Sequence, residues 1–198
     1  MTQNRLLFQN DAALTAAYDV IRANLLVRLG MTGEEKKLTP VVAVSSVGKY
    51  SKRREMTVNL AISFARLGLR VLLADADFRT KGIAPILGAA DAAEKPLPTE
   101  EPTLFFLPRG SFDKNPTDLL GSADFIARLK AWRTEYDLVL LALPPAGIYA
   151  DTLTCAPYTD GVVLGVTPGL DKRAALTATL ESLDTVGAKL LGMINCQK

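Results

Sequence analysis

The chain has 198 residues, enough for one domain with a substantial core. Its 23 Lys plus Arg against 21 Asp plus Glu leave a net charge of +2, too balanced for wholesale nucleic-acid binding, so any basic site is local. It has no histidine, which excludes His-based acid/base catalysis, Ser-His and Cys-His nucleophile pairs and the commonest transition-metal ligand.

The opening MTQNRLLFQNDAA lacks a basic segment followed by an apolar one, and no later run approaches the roughly 18 apolar residues of a membrane span. A soluble cytoplasmic protein is expected. Leu14, Ala17, Tyr18, Ile21, Leu25 and Leu29 recur at helical spacing, which predicts an amphipathic helix over 11–29 capped by Asp11 and stopped by Gly30. The polar stretch MTGEEKKLTP reads as a linker, so the division is an N-terminal helix and linker over 1–40 and a core domain over 41–198.

From Val41 onward, six short apolar runs alternate with helical segments: VVAVSS, RVLLAD, TLFFLP, YDLVLLAL, GVVLGV and KLLGMI. Strands that are apolar throughout are buried on both faces, the mark of a parallel sheet whose returns are right-handed helical crossovers. The fold class is therefore α/β, a three-layer doubly wound and mostly parallel sheet with an N-terminal helix. One connecting helix is predicted over 55–67 before Gly68. A second opens at Asn115-Pro116 and carries Leu119, Leu120, Ile126, Leu129 and Trp132, and a third runs from Asp171 to Gly187. No internal repeat is visible. The Ala/Glu/Pro-rich stretch 89–102 reads as a surface loop, and Cys155 and Cys196 read as buried thiols of a reducing compartment.

In such sheets ligands bind at the carboxyl ends of the strands, so the residues after Ser46, Ala74 and Leu141 carry the chemistry. A phosphate cradle in the first of these turns needs glycine, because its backbone N–H groups converge on the anion with no Cβ in the way. The strand VVAVSS, the helix ending NLAISFARLG, and RVLLADADFR, NPTDLL, YDLVLLALPP and APYTDGVVLGVTPG together resemble the bacterial tyrosine kinase family. The resemblance implies a P-loop ATPase fold that works with a membrane co-polymerase in capsular and exopolysaccharide export. The related ParA and MinD group carries a KGG-type loop that is absent here.

The family's loop, S-x-x-P-G-E-G-K-S-T-T-x-x-N-L-A, aligns with 46–61 without a gap. Its glycines fall on Tyr50 and Lys52, its phosphate-binding lysine on Arg53, its magnesium-binding serine on Arg54 and the next threonine on Glu55; Asn59, Leu60 and Ala61 match. Non-glycine residues in left-handed geometry would cost about 1–2 kcal/mol each. A cation where a hydroxyl should hold magnesium is worse, since a charge pair at 4 Å is worth about 4 kcal/mol at an effective dielectric of 20. By the resemblance, Asp75 and Asp77 would support metal binding and activation of the attacked hydroxyl; the bland alternative makes them ion partners of Arg53 and Arg54. Ala142 stands where the family's YDxVIIDTPP has its metal-water aspartate, and Asp137 lies roughly 15 Å or more along the same strand. The chain ends INCQK, without the family's tyrosine cluster, and only Arg22 survives of the ring-forming E-x-x-R-x-x-R motif.

The basic run Lys49, Lys52, Arg53, Arg54 reads as a solvated, ion-paired helix entrance, as a site for an acidic partner or anion, or least of all as an RNA contact. The vestigial nucleotide site thus comprises Lys52, Arg53, Arg54, Glu55, Asp75, Asp77 and Ala142, with no catalytic or metal-ligating residue expected. The expectation is a pseudokinase with a degenerate Walker A loop and no cofactor. It would act as a scaffold or regulator in polysaccharide synthesis, contacting a co-polymerase's cytoplasmic tail or an active kinase subunit at the inner face of the membrane. The alternatives are a residually active enzyme, in which Arg53 replaces the lysine and Asp75 with Asp77 hold magnesium, and a ParA/MinD-like positioning protein. At least one arginine is expected within salt-bridge distance of Asp75 or Asp77, with the loop collapsed.

Overall fold

The computed structural model describes residues 11–33, 38–49, 52–89 and 95–196. A seven-stranded sheet forms from β1 (Val41–Ser46), β2 (Val71–Asp75), β3 (Leu97–Pro98), β4 (Leu104–Leu107), β5 (Leu138–Ala142), β6 (Gly161–Val166) and β7 (Leu190–Asn195). Its order is β3-β4-β2-β5-β1-β6-β7, parallel throughout except for β3 against β4. All six predicted strands are present. β3 was not anticipated: it is two residues of the 89–102 segment, one of them proline, paired on the sheet edge where a missing N–H is tolerated.

Helices cover both faces: α1 (Ala12–Arg28), α2 (Arg53–Ala65), α3 (Ala84–Leu87), α4 (Pro116–Leu120), α5 (Ala123–Glu135), α6 (Asp151–Cys155) and α7 (Arg173–Thr185). Alternation along each strand divides the core in two. Val42, Val44, Leu73, Phe106 and Leu140 pack with Leu60 and Phe64 of α2 and Tyr18 and Leu25 of α1. Ala43, Leu72, Val139 and Leu141 pack with Phe125, Leu129 and Trp132 of α5 and Leu183 of α7. The three-layer, P-loop NTPase-like α/β architecture is the expected one.

α1 has the caps its sequence announces: Asp11 accepts from the Leu14 N–H, and Gly30 takes a positive φ of 68°. Its role is to cover α2, which has no solvent-facing stripe because it lies between sheet and α1; even its Thr57, Asn59 and Ser63 are buried. Arg22 fixes this packing by donating to the Ser63 carbonyl at 2.7 Å and to its hydroxyl at 3.0 Å, while pairing with Asp19. The arginine that survives from the ring motif is thus engaged inside the chain.

Two helix boundaries differ from expectation. The helix opening at Asn115 ends at Leu120, and Ser122 caps a separate α5 by accepting from the Phe125 N–H. Asp171 does not cap α7; its carboxylate instead accepts from the Thr167 N–H, and α7 begins at Arg173.

Leu140 is fully buried on the central strand β5. Leu140→Ala should destabilise the chain by about 2–5 kcal/mol, read as a lower urea midpoint in the emission of Trp132, the single tryptophan.

Candidate functional site

The site forms where β1, β2 and β5 end side by side. Parallel register sets Asp75, the last residue of β2, directly across from Ala142, the last residue of β5. The Ala76 N–H continues the ladder to the Ala142 carbonyl at 2.9 Å. On the other side of β5, β1 leads into the turn before α2, whose first residue is Arg53.

Arg53 is only 5% exposed, and its Nη2 donates to Asp77 Oδ2 at 2.6 Å in an ion pair whose carboxylate is wholly buried. The expected arginine–carboxylate contact therefore forms. The Nη1 of the same guanidinium is buried and has no hydrogen-bond partner among the described residues. Arg54 is half-buried, with Nη1 3.4 Å from the Gly82 carbonyl rather than on a carboxylate. Lys52 precedes the helix with φ −75°, so it escapes the left-handed strain expected of a residue in a glycine position. Glu55 lies in the first turn of α2, where a carboxylate opposes the helix dipole favourably. Tyr50, and with it the expected collapse of the loop, lies outside the described residues.

The two aspartates are held by the chain that follows β2. Asp77 Oδ1 accepts from the Arg79 and Thr80 N–H groups, and its Oδ2 takes the Thr80 hydroxyl as well as Arg53. Asp75 Oδ1 accepts from the Asp77 N–H at 3.1 Å, and its Oδ2 from the Ile83 N–H at 2.6 Å. Gly82, at φ +61°, is required beneath Asp75, since a Cβ there would run into the carboxylate. Among the described residues no cluster of three or more Asp, Glu or Cys side chains could hold a metal ion. An anion fits more directly, because an orphaned buried guanidinium nitrogen is satisfied by a phosphate oxygen.

Burial pushes the Asp75 carboxyl up to about 6; the Ile83 and Asp77 N–H groups oppose the rise, the Asp77 charge adds to it and Arg109 opposes it. Arg109 reaches over from the end of β4 to donate to the carbonyls of Asp77 and Thr80.

Several supporting residues escaped sequence reasoning. Arg79 lies within the VLLADADFR segment, and its guanidinium bridges to the buried Asp151 at 3.2 Å, to Thr117 at 2.8 Å and to Asn115 at 3.3 Å. It thereby ties the β2 turn to α4 and α6. Its place two residues past Asp77 was the available signal. Asp151 and Asp171 carried none.

No family model matches the chain. It is 30% identical over 191 residues to the tyrosine-protein kinase CpsD of Streptococcus agalactiae, covering 89% of this chain and 80% of that one. The chain belongs to the bacterial tyrosine-protein kinase family. The kinase domain of the Escherichia coli tyrosine kinase ETK superposes with a TM-score of 0.81 at 18% identity, covering 93% of this chain and 76% of that one. The septum site-determining protein MinD of Pyrococcus horikoshii, complexed with Mg-ADP, superposes at 0.64 with 19% identity, covering 80% and 70%. These two likenesses concern the fold.

Two expectations are corrected by these findings. The expectation of a non-enzyme is overturned by kinship with proteins named as tyrosine kinases. The expectation of no cofactor is overturned by fold neighbours that include a Mg-ADP complex. The physical reason is that contacts in a buried site are shared, so the exchange of one motif residue does not by itself remove the charge it supplied. The structure retains a cation on the first residue of α2 and both carboxylates at the end of β2, Asp75 on its last residue and Asp77 two residues on.

The Asp75 carboxyl, pushed by burial from its ordinary 3.8 to about 6, binds its proton more tightly in the folded state. Its contribution to stability is present below pH 4 and is lost as pH rises through 6, by about 3 kcal/mol for a shift of this size. Urea midpoints taken from pH 4 to 7 should fall across this window in the wild type, and the fall should be smaller in Asp75→Asn.

Proposed function

We propose that this chain is an ATP-binding, phosphoryl-transferring domain of the bacterial tyrosine kinase family, working in capsular or exopolysaccharide synthesis. The observation that carries the reading is the kinship with CpsD over 191 residues, extending through a strand-end site with a buried cation and two carboxylates. Its place in the cell is the cytoplasmic face of the membrane, reached through a partner: the cytoplasmic tail of a polysaccharide co-polymerase or another kinase subunit. The division into a helix and linker over 1–40 and a nucleotide-binding domain over 41–198 belongs to the same reading. No helix among the described residues is long and apolar enough to cross a membrane.

The nucleotide site in this proposal comprises Lys52, Arg53, Arg54, Glu55, Asp75, Asp77 and Ala142. Arg53 replaces the phosphate-binding lysine, and its planar fork holds a phosphate oxygen together with the N–H groups at the start of α2. Asp75 and Asp77 are the residues that would hold magnesium, and Asp77 Oδ2 must exchange Arg53 or Thr80 to do so. Magnesium, when bound, neutralises charge developing on the transferred phosphoryl group. Asp75, ionised at neutral pH by its value of about 6, is the carboxylate suited to take a proton from the attacked hydroxyl. Thr80 and the 79–80 backbone keep Asp77 oriented, and Arg79 keeps that turn docked on α4 and α6.

Calorimetric titration with ATP and magnesium chloride tests the proposal. The wild type should give a saturable heat that Arg53→Ala abolishes at the same ATP concentration. Absence of binding by the wild type up to millimolar ATP would overturn it.

A further inference from the structure

A cavity of about 180 Å³ opens at the carboxyl ends of β2 and β4, on the face of the sheet that α5 covers. The helix α2 packs on the opposite face. Ala74 and Ala76 line the cavity, and their single methyl groups leave room that larger side chains would fill. Its walls are aromatic: Phe78 and Phe112 meet edge to face with ring centroids 4.7 Å apart, and Phe125 and Trp132 do so at 6.3 Å. An apolar cavity of about 150 Å³ is enough to hold benzene, so this one accepts one six-membered ring with a small substituent. Aromatic walls favour an aromatic occupant over an aliphatic one of equal size, because ring edges and ring faces carry opposite partial charge.

The charged groups on the cavity decide what substituent the ring carries. Arg109, Lys114 and Arg128 line it against Asp75 and Asp113. Both Asp75 oxygens already accept N–H groups, from Asp77 and Ile83. Arg128 is exposed on α5, with its guanidinium carbon 5.4 Å from the centroid of the Trp132 ring. A ring seated against Trp132 therefore presents its substituent to cations, and a negative group gains most there.

We propose that this cavity binds a single-ring aromatic anion, its ring among Phe78, Phe112, Phe125 and Trp132 and its negative group on Arg128 and Lys114. The site does not depend on nucleotide binding before α2, since its lining includes none of Lys52, Arg53 and Arg54. Two sources carry the chemistry. One is a free aromatic carboxylate; the other is the phosphorylated ring of a tyrosine side chain, a source that rests on the kinase reading. Arg109 joins the cavity to the turn after β2, because it donates to the carbonyls of Asp77 and Thr80. An occupant thus meets a side chain that braces the candidate site.

Trp132 is the single tryptophan and lines the cavity, so its emission reads occupancy directly. The intact chain is titrated with benzoate, with phenyl phosphate and with uncharged benzyl alcohol, and calorimetry is run in parallel. At least one anion should give a saturable response with a dissociation constant on the order of 1 mM or tighter, within the range open to ligands this small. Benzyl alcohol should bind about tenfold more weakly, the scale of one charged hydrogen bond. Tighter binding of phenyl phosphate identifies the phosphorylated ring as the source, tighter binding of benzoate the free carboxylate, and equal affinities support the shared chemistry. Arg128→Gln, an exposed change, should weaken the anions about tenfold and leave benzyl alcohol unchanged, whereas Phe112→Ala should weaken all three. The proposal is overturned if neither anion gives a saturable change in emission or heat. Benzyl alcohol binding as tightly as the anions, or anion binding untouched by Arg128→Gln, overturns it too. Failure of ATP to bind has no bearing on these titrations, so the two readings fail separately.

Discussion

A guanidinium that meets almost no solvent must have an anion in contact with it, and much of the local structure at this strand end follows from that requirement. Arg53 begins α2 at the carboxyl end of β1, inside the sheet, where a lone buried charge would be prohibitively desolvated. Asp77 satisfies it, and Asp77 can do so only if the chain after β2 turns at once, so that the Arg79 and Thr80 N–H groups and the Thr80 hydroxyl hold the carboxylate in place. The same turn carries the Asp77 N–H back onto Asp75 and leads through Gly82 to the Ile83 N–H that closes on the other Asp75 oxygen. Arg109 and Arg79 then fix the turn from outside, on carbonyls and on Asp151. A cation is also poorly placed at a helix start, where the dipole is positive. The pair is tolerated because Asp77 lies close to it, not because the helix favours it.

The fold was legible because parallel strands buried on both faces read as unbroken apolar runs, and each such run became a strand. Caps made α1 legible too, since Asp11 and Gly30 do in the structure what their chemistry requires. Where legibility failed, a local signal had been outweighed. Gly121-Ser122 contains a helix stop and a cap, yet the continuous apolar spacing of Leu120, Ile126 and Leu129 suggested one helix. β3 offered no pattern, because two residues cannot show a period and one of them is proline.

The candidate site was legible in a different way. Charge accounting alone foresaw that an arginine at the start of α2 would meet a carboxylate at the end of β2, and it foresaw nothing of the residues that position them. Arg79 with Asp151 joins positions 72 apart, and Arg22 with Ser63 joins positions 41 apart. Neither pairing leaves a trace in spacing. The inference from an altered loop to an absent activity failed for a related reason. It treated each exchanged residue as the loss of a contact, although contacts in a buried site are shared, and Arg53 supplies a charge while Asp77 supplies its restraint.

Charge balance at the strand ends is the remaining constraint. Relative to the family's pattern, arginine for serine at position 54 and alanine for aspartate at position 142 each make the site more positive by one charge. At short range each such change is worth about 4 kcal/mol at an effective dielectric of 20, too much to leave uncompensated beside a buried cation. Alanine at 142 also spares Asp75 a like charge on the neighbouring strand, roughly 4.8 Å away across the ladder. Asp75 therefore stays ionisable near neutral pH although it is buried, held by two N–H groups. Among the described residues the charge at this strand end is balanced between protein groups, Arg53 against Asp77 and Arg79 against Asp151.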